Sequence, residues 1–115
     1  MQFLVTIHRI DGYDGASESA EMVAEIDELN HEMSRAGARL FAGGFGPVEQ
    51  ARSLRAVADG SVEVSEGCYL PGAEHAGGCW LLECPSLEEA VAWGKKAVAA
   101  CRANVEVRPF LQAPA

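Results

Sequence analysis

Basic residues are scarce in this chain of 115 residues. Nine lysines and arginines stand against 17 aspartates and glutamates, which gives a formal net charge of -8 at pH 7. Because binding to nucleic acid depends on clustered lysines and arginines that neutralise phosphates, nucleic acid is a disfavoured partner. An anionic membrane surface is disfavoured for the same reason.

Long hydrophobic runs are also missing. The first ten residues, MQFLVTIHRI, carry no basic lead-in and no small-residue cleavage site, so they predict a strand and not a signal peptide. Nothing resembles a membrane span, and we expect a cytoplasmic protein. The composition, 49% hydrophobic and 23% charged, is typical of a single folded domain.

The four cysteines lack a metal-binding pattern. Cys68, Cys79 and Cys84 stand near His75, but no CxxC pair is present, and Cys79 and Cys84 should point to opposite faces of one strand. With Cys101 they are expected to be free thiols in a reducing compartment. We therefore expect no disulfide, no metal and no cofactor.

The hydrophobic pattern predicts six strands and two helices within residues 1–110. Asp59-Gly60 favours a hairpin with a two-residue type I′ turn. The element order is the split βαβ pattern of an α+β ferredoxin-like fold with an inserted β-hairpin, followed by a short tail at 111–115. Strands are predicted at Phe3–Ile10, Arg39–Ala42, Ser53–Ala58, Ser61–Val64, Cys79–Cys84 and Val105–Phe110, and helices at Glu18–Ala36 and behind the capping box Ser86–Glu89.

Both faces of the first predicted strand carry apolar side chains. Helices can cover only one face of a sheet with this topology, so the other face needs a partner. We therefore predict a homodimer in which two sheets face each other. Phe3, Val5 and Ile7 lie on one face of that strand and Leu4, Thr6 and His8 on the other, while Val23, Ile26, Leu29 or Asn30, and Met33 form the apolar stripe of the first helix.

The stretch Glu66–Trp80, EGCYLPGAEHAGGCW, combines four glycines with two cysteines, a histidine and two acids. It is too rich in glycine for a regular element, so a loop is predicted at Glu66–Gly78, before the strand that begins at Cys79. It is also too rich in reactive side chains for a plain linker. We expect a functional site at this loop.

Three motifs resemble the YCII-related proteins of the DGPF type over about residues 1–110. They are the hairpin with its Asp-Gly turn, the helix opening Leu87-Glu-Glu-Ala-Val-Ala-Trp93, and the closing Val105-Glu-Val-Arg-Pro109. The resemblance implies a ferredoxin-like domain that assembles as a dimeric α/β barrel. The D-G-P-F signature stands here as Glu66-Gly67-Cys68-Tyr69, with cysteine in place of proline.

One functional position of the family is not retained. The resemblance places the histidine proposed as catalytic in related members at Ile26 of this chain. Since an aliphatic side chain neither gives nor takes a proton, the histidine and aspartate chemistry of those members does not transfer. His31 lies five residues further on, on another face of the helix.

The remaining site candidates are loop and strand residues. His8, Glu66 and His75 are candidates for acid/base catalysis, because a histidine near a carboxylate can exchange protons near neutral pH. Arg55 and Arg108 could clamp a carboxylate from neighbouring strands, with surface ion pairs as the equal alternative. The candidate ligand contacts are Arg55, Glu66, Tyr69, His75 and Arg108.

Three functional hypotheses stay open. The chain is a small-molecule-binding protein, with acid/base chemistry of an isomerase or lyase type on a small metabolite as one form. Alternatively, it is a non-catalytic binding or regulatory module, which the missing helix histidine favours. The third hypothesis is a structural dimer that docks onto another protein through an exposed apolar patch.

Overall fold

The computed structural model describes residues 1–111 and contains six strands and two helices in that range. Four strands form an antiparallel sheet in the order β2-β5-β1-β6, and β3 and β4 form a separate hairpin. This α+β arrangement is compatible with the predicted ferredoxin-like fold. In chain order the elements are β1 (Gln2–Ile10), α1 (Ala20–Arg35), β2 (Arg39–Gly44), β3 (Arg52–Ala56), β4 (Val62–Glu66), β5 (Glu74–Glu83), α2 (Leu87–Cys101) and β6 (Asn104–Pro109).

The core lies between the sheet and the two helices. Phe3 and Val5 of β1 are fully buried there, as the alternation of β1 predicts. The helix α1 begins at Ala20, because the Ser19 hydroxyl accepts the amide N–H of Met22 as an N-cap. The expected place of Val23 in the apolar stripe is wrong: Val23 is 44% exposed, and the buried positions are Met22, Leu29 and Met33, with Ile26 half-buried.

Glycines continue two strands that the sequence was expected to end. The strand β2 runs on through Gly43 and Gly44, and β5 begins at Glu74, so the predicted Glu66–Gly78 loop is too long. A Cβ at Gly78 would lie 2.9 Å from the carbonyl oxygen of Gly43. The strands β2 and β5 can therefore approach this closely because Gly78 has no side chain. Glycine here permits strand pairing.

The hairpin is confirmed, but its predicted two-residue type I′ turn is wrong. Pairing ends at Ala56 and Val62, and the turn spans residues 57–61. Gly60 has a φ of 89°, whereas Asp59 does not adopt the positive φ that a type I′ turn requires. Instead, the carboxylate of Asp59 accepts both the amide and the hydroxyl of Ser61, which favours the longer turn.

The second helix begins as its capping box predicts and packs closely on β6. The Ser86 hydroxyl accepts the amide N–H of Glu89. Buried small residues, including Ala90, Gly94 and Ala97, face the sheet. A Cβ at Gly94 would lie only 2.8 Å from Cγ2 of Val107, so the absence of a side chain sets the spacing between helix and strand.

The other face of the sheet has no helix on it, within the described residues. Leu4 and Leu81 are half-buried there and Phe41 is 57% exposed. The domain is accordingly flat, with extents of 50 × 45 × 18 Å. No helix within residues 1–111 is long and apolar enough to cross a membrane. Most of the predicted tail, residues 112–115, lies outside the described range.

The substitution Gly94→Ala should lower the free energy of unfolding. The gain in helix propensity is about 1 kcal/mol, whereas overpacking against the stiff Val107 side chain costs about 1–3 kcal/mol. Denaturant unfolding measures the difference. In a Val107→Ala background, which removes the close contact, the same substitution should stabilise the protein, and equal effects in both backgrounds would contradict this account of the packing.

Candidate functional site

A cavity of about 840 Å³ lies beside α1, at the β2 and β5 side of the sheet. Residues of the segment 11–18, which connects β1 to α1, and of the segment 45–49, which follows β2, also line it. The β-strand residues that line it lie mainly on the helix-covered face. Ligand pockets of proteins commonly have volumes of roughly 300–1,000 Å³, so this cavity has the size of a small-molecule site.

The cavity has an apolar wall made by core elements. Ile7 of β1, Ile26 of α1, Ala42 of β2 and Trp80 of β5 line it. Trp80 is only 4% exposed, so its ring belongs to the core as well as to the wall. Ile26 therefore contributes apolar surface to this cavity.

Arg9, Tyr13 and Glu18 form a polar cluster on another wall. The Arg9 guanidinium donates to the backbone carbonyl of Cys101 at 2.5 Å and lies 4.2 Å from the ring centroid of Tyr13. The Tyr13 hydroxyl donates to Glu18 Oε2 at 2.5 Å, and an Arg9 nitrogen lies 3.7 Å from the same oxygen. Burial first, and then the hydrogen bond to Glu18, raise the pKa of Tyr13, so its hydroxyl stays protonated as a donor.

Asn30 connects Trp80, in the apolar wall, with the side chain of Arg39, which also lines the cavity. Its side-chain oxygen accepts the indole N–H of Trp80 at 2.9 Å and Nε–H of Arg39 at 3.0 Å. Its amide nitrogen donates to the backbone carbonyl of Ile26 at 3.0 Å, one turn earlier in α1. Because all three contacts fix the amide, Asn30 holds both Trp80 and Arg39 in place.

His75 lies on β5 opposite Arg9, at the cavity, and both of its ring nitrogens have partners. Nδ1 lies 2.6 Å from Oδ1 of Asp11, and Nε2 lies 2.8 Å from the backbone oxygen of Leu70. Both partners are acceptors, so the arrangement favours the imidazolium, which has a proton on each nitrogen. The hydrogen bond to Asp11 first, and then that to Leu70, raise the pKa of His75.

This geometry makes His75 a clamp between two loops. The ring ties the segment after β1, through Asp11, to the segment 67–73, through Leu70. A general base needs a nitrogen free to take a proton from a substrate, and here neither ring nitrogen is free. The two hydrogen bonds of His75 thus join the β1–α1 connection to the segment before β5.

Glu66, Arg55 and Tyr69 are grouped away from the main cavity, at the hairpin. The Arg55 guanidinium stacks on the Tyr69 ring at 4.8 Å and donates to the backbone oxygen of Tyr69 at 3.0 Å. Glu66 lies 3.9 Å from Arg52 of the neighbouring strand. Glu66 and His75 both line a smaller cavity of about 360 Å³, together with Cys68.

His8 and Arg108 belong to the opposite face of the sheet. The extra residue Gly77 shifts the pairing of β1 and β5 between Ile7 and His8, so His75 shares the cavity face with Arg9 while His8 does not. Arg108 pairs at 3.1 Å with the exposed Glu106. The structure therefore places His8 and His75 on opposite faces of the sheet, and Arg108 and Arg55 in different sheets.

All four cysteines are free thiols. Cys101 and Cys84 are buried, and burial raises the pKa of both thiols, which keeps them protonated. Within residues 1–111 no group of three or more His, Cys, Asp or Glu side chains could hold a metal ion.

Sequence reasoning missed Arg9, Tyr13, Glu18, Asn30 and Arg39, which carry the polar chemistry of the cavity. Each lies in a stretch whose pattern predicts a strand, a turn or a helix, and none belongs to a recognisable functional motif. The one available signal was Asn30, a polar residue at a position of the predicted apolar stripe. A polar group on a buried face needs a partner, and here it has three.

The clamp predicts a pH-dependent stability. Because the folded-state pKa of His75 is raised, its contribution is fully present below the ordinary histidine pKa of about 6.5 and is lost as the pH rises through the folded-state value. We expect the difference in the free energy of unfolding between the wild type and His75→Ala to be largest at about pH 5–6. The exposed His31→Ala is the matched control, and a difference that grows with pH would refute the clamp.

The shared acceptor Asn30 predicts a coupling between two side chains. Asn30→Ala leaves the buried indole N–H of Trp80 without a partner, which should cost about 1–3 kcal/mol in denaturant unfolding. In a Trp80→Phe background, which has no N–H to satisfy, the cost should be smaller. Asn104→Ala, at an exposed amide, is the control, and equal costs of Asn30→Ala in both backgrounds would show that the hydrogen bond is not the cause.

Comparison with known proteins assigns no family. No protein-family model matches the chain, and no curated protein matches it. The function is therefore argued from the cavity and its side chains.

Proposed function

We propose that this protein binds a small molecule in the cavity beside α1. The volume of about 840 Å³ supports the proposal most directly. The mixture of one apolar wall, around Trp80, with convergent polar groups on Arg9, Tyr13 and Arg39 is the lining that orients a ligand. The resemblance to YCII-related proteins of the DGPF type agrees with the binding of a small molecule.

The proposed function is binding without proton transfer by His75. Both ring nitrogens are engaged with Asp11 and Leu70, and the cavity has Ile26 where a histidine would be needed for the family's chemistry. The phenol of Tyr13 is held protonated by burial and by Glu18. These features favour the binding or regulatory hypothesis over the isomerase or lyase hypothesis.

Filling the cavity should abolish binding. Gly44 lines it, has no atom within 4 Å of an added Cβ and lies in regular strand conformation, so Gly44→Leu should fold while its side chain enters the space. Metabolites that raise the melting temperature of the wild type in a thermal-shift screen should have no effect on this variant. Ala99→Leu, at an exposed site of α2, is the control, and equal shifts in Gly44→Leu would place binding elsewhere.

We propose further that two chains pair through their uncovered sheet faces. The support is the apolar surface there, with Phe41, and the exposed apolar face of the hairpin, where Leu54 lies opposite Val64. The radius of gyration is 16.3 Å, whereas a compact chain of this length has a value of about 13 Å. A projecting hairpin with an apolar face is suited to embrace a second copy, as in a dimeric α/β barrel.

Charges on this surface should break the dimer. The double variant Phe41→Lys/Leu54→Lys should sediment as a monomer in analytical ultracentrifugation under conditions where the wild type sediments as a dimer, because lysines would be buried without partners. Val98→Lys, at an exposed position of the helix layer, should remain dimeric. A monomeric wild type would contradict the proposal.

A further inference from the structure

Most arginines of this acidic chain have a carboxylate partner. With 17 acids and only nine basic residues, carboxylates are in excess. Five of the seven arginines make an ion pair, at N···O distances between 2.6 and 3.9 Å. They are Arg9 with Glu18, Arg35 with Glu28, Arg52 with Glu66, Arg102 with Glu25 and Arg108 with Glu106.

The two other arginines differ in how they are used. Arg55 is engaged by the Tyr69 ring, the Tyr69 backbone oxygen and the Ser65 hydroxyl. Arg39 makes one side-chain hydrogen bond, from Nε to Asn30, and no acid within residues 1–111 pairs with it. Its two terminal nitrogens are therefore available, and Arg39 lines the cavity.

The position of Arg39 is fixed where a ligand would use it. Nε is anchored on the same oxygen of Asn30 that accepts the indole N–H of Trp80. An arginine held by Nε presents its terminal nitrogens as a planar fork, the geometry that matches a carboxylate. Such a carboxylate would lie near the apolar wall of Trp80 and Ile26, which can receive an aliphatic or aromatic body.

The acidic residues of the cavity favour an anionic ligand group at Arg39 over other positions in the cavity. Among its acids, Asp11 is bound to His75, Asp14 accepts the amide of Ala16, and Glu18 accepts the Tyr13 hydroxyl. These lie on the β1–α1 connection. Glu49 lies on the segment after β2 and repels an anion at its own end.

We infer that the ligand of the cavity is a small organic carboxylate, held by the Arg39 fork with its apolar body against Trp80. This inference rests on the proposed ligand-binding function and adds the chemical class. Recognition by charge-assisted hydrogen bonds should discriminate an acid from its uncharged amide of the same shape.

The test uses matched acid and amide pairs with uniformly ¹⁵N-labelled protein. Benzoate is compared with benzamide, and phenylacetate with phenylacetamide, while the two indole N–H signals are followed by NMR. The acids should shift the Trp80 signal and leave the signal of Trp93, on α2, unchanged. Each amide should bind at least about tenfold more weakly than the corresponding acid. Arg39→Gln should remove the preference for acid, whereas the control Arg35→Gln, at an exposed ion pair, should keep it.

The outcomes separate the two proposals. Equal titration of acid and amide at Trp80, or a preference that survives in Arg39→Gln, would overturn the carboxylate assignment while cavity binding stands. If no probe shifts Trp80, the carboxylate assignment is overturned as well, and the Gly44→Leu thermal-shift comparison then decides the binding function separately. A cooperative denaturant-unfolding transition of Arg39→Gln would show that the variant folds.

Discussion

The pairing of β1 with β5, with its one extra residue at Gly77, is the constraint on which the rest of the structure depends. Up to Ile7 the two strands place Val5 and Trp80 on the same, helix-covered face. Beyond the bulge the alternation of β5 is reversed, so His75 comes to the face of Arg9. An added Cβ at Gly77 would lie 2.6 Å from Cγ of Arg9, so only glycine fits this crossing.

The bulge connects the core to the cavity. On the Gln2–Ile7 side of the bulge, the strand pair forms the sheet surface on which α1 and α2 pack. On the other side, the same strands supply Arg9 and His75 to the polar lining of the cavity. Arg9 is held by the end of α2 through Cys101, and His75 is held by the loops through Asp11 and Leu70. The sheet thus carries polar groups whose partners come from the end of α2 and from the connecting loops.

Much of the fold could be predicted from the sequence because its signals are local. The Ser86 cap, the alternation of β1 and the hairpin around Gly60 depend on residues within a few positions. The candidate site could not be predicted in the same way. Strand alternation assigns a face to His75 only when the pairing register is known, and an inserted residue changes it. The density of reactive side chains predicts a site near Glu66, whereas the larger cavity is lined by residues of five strands and helices and of two connections.

Asn30 connects the interior of the domain with the cavity through a single atom. A carbonyl oxygen has two lone pairs, and in Asn30 one serves the interior, through Trp80, and the other serves the cavity, through Arg39. A pull on Arg39 from the cavity side therefore acts on the same atom that orients a core tryptophan. One amide oxygen thus sets the position of a core side chain and of a cavity side chain together, so the packing of α1 on the sheet and the polar lining of the cavity share one atom.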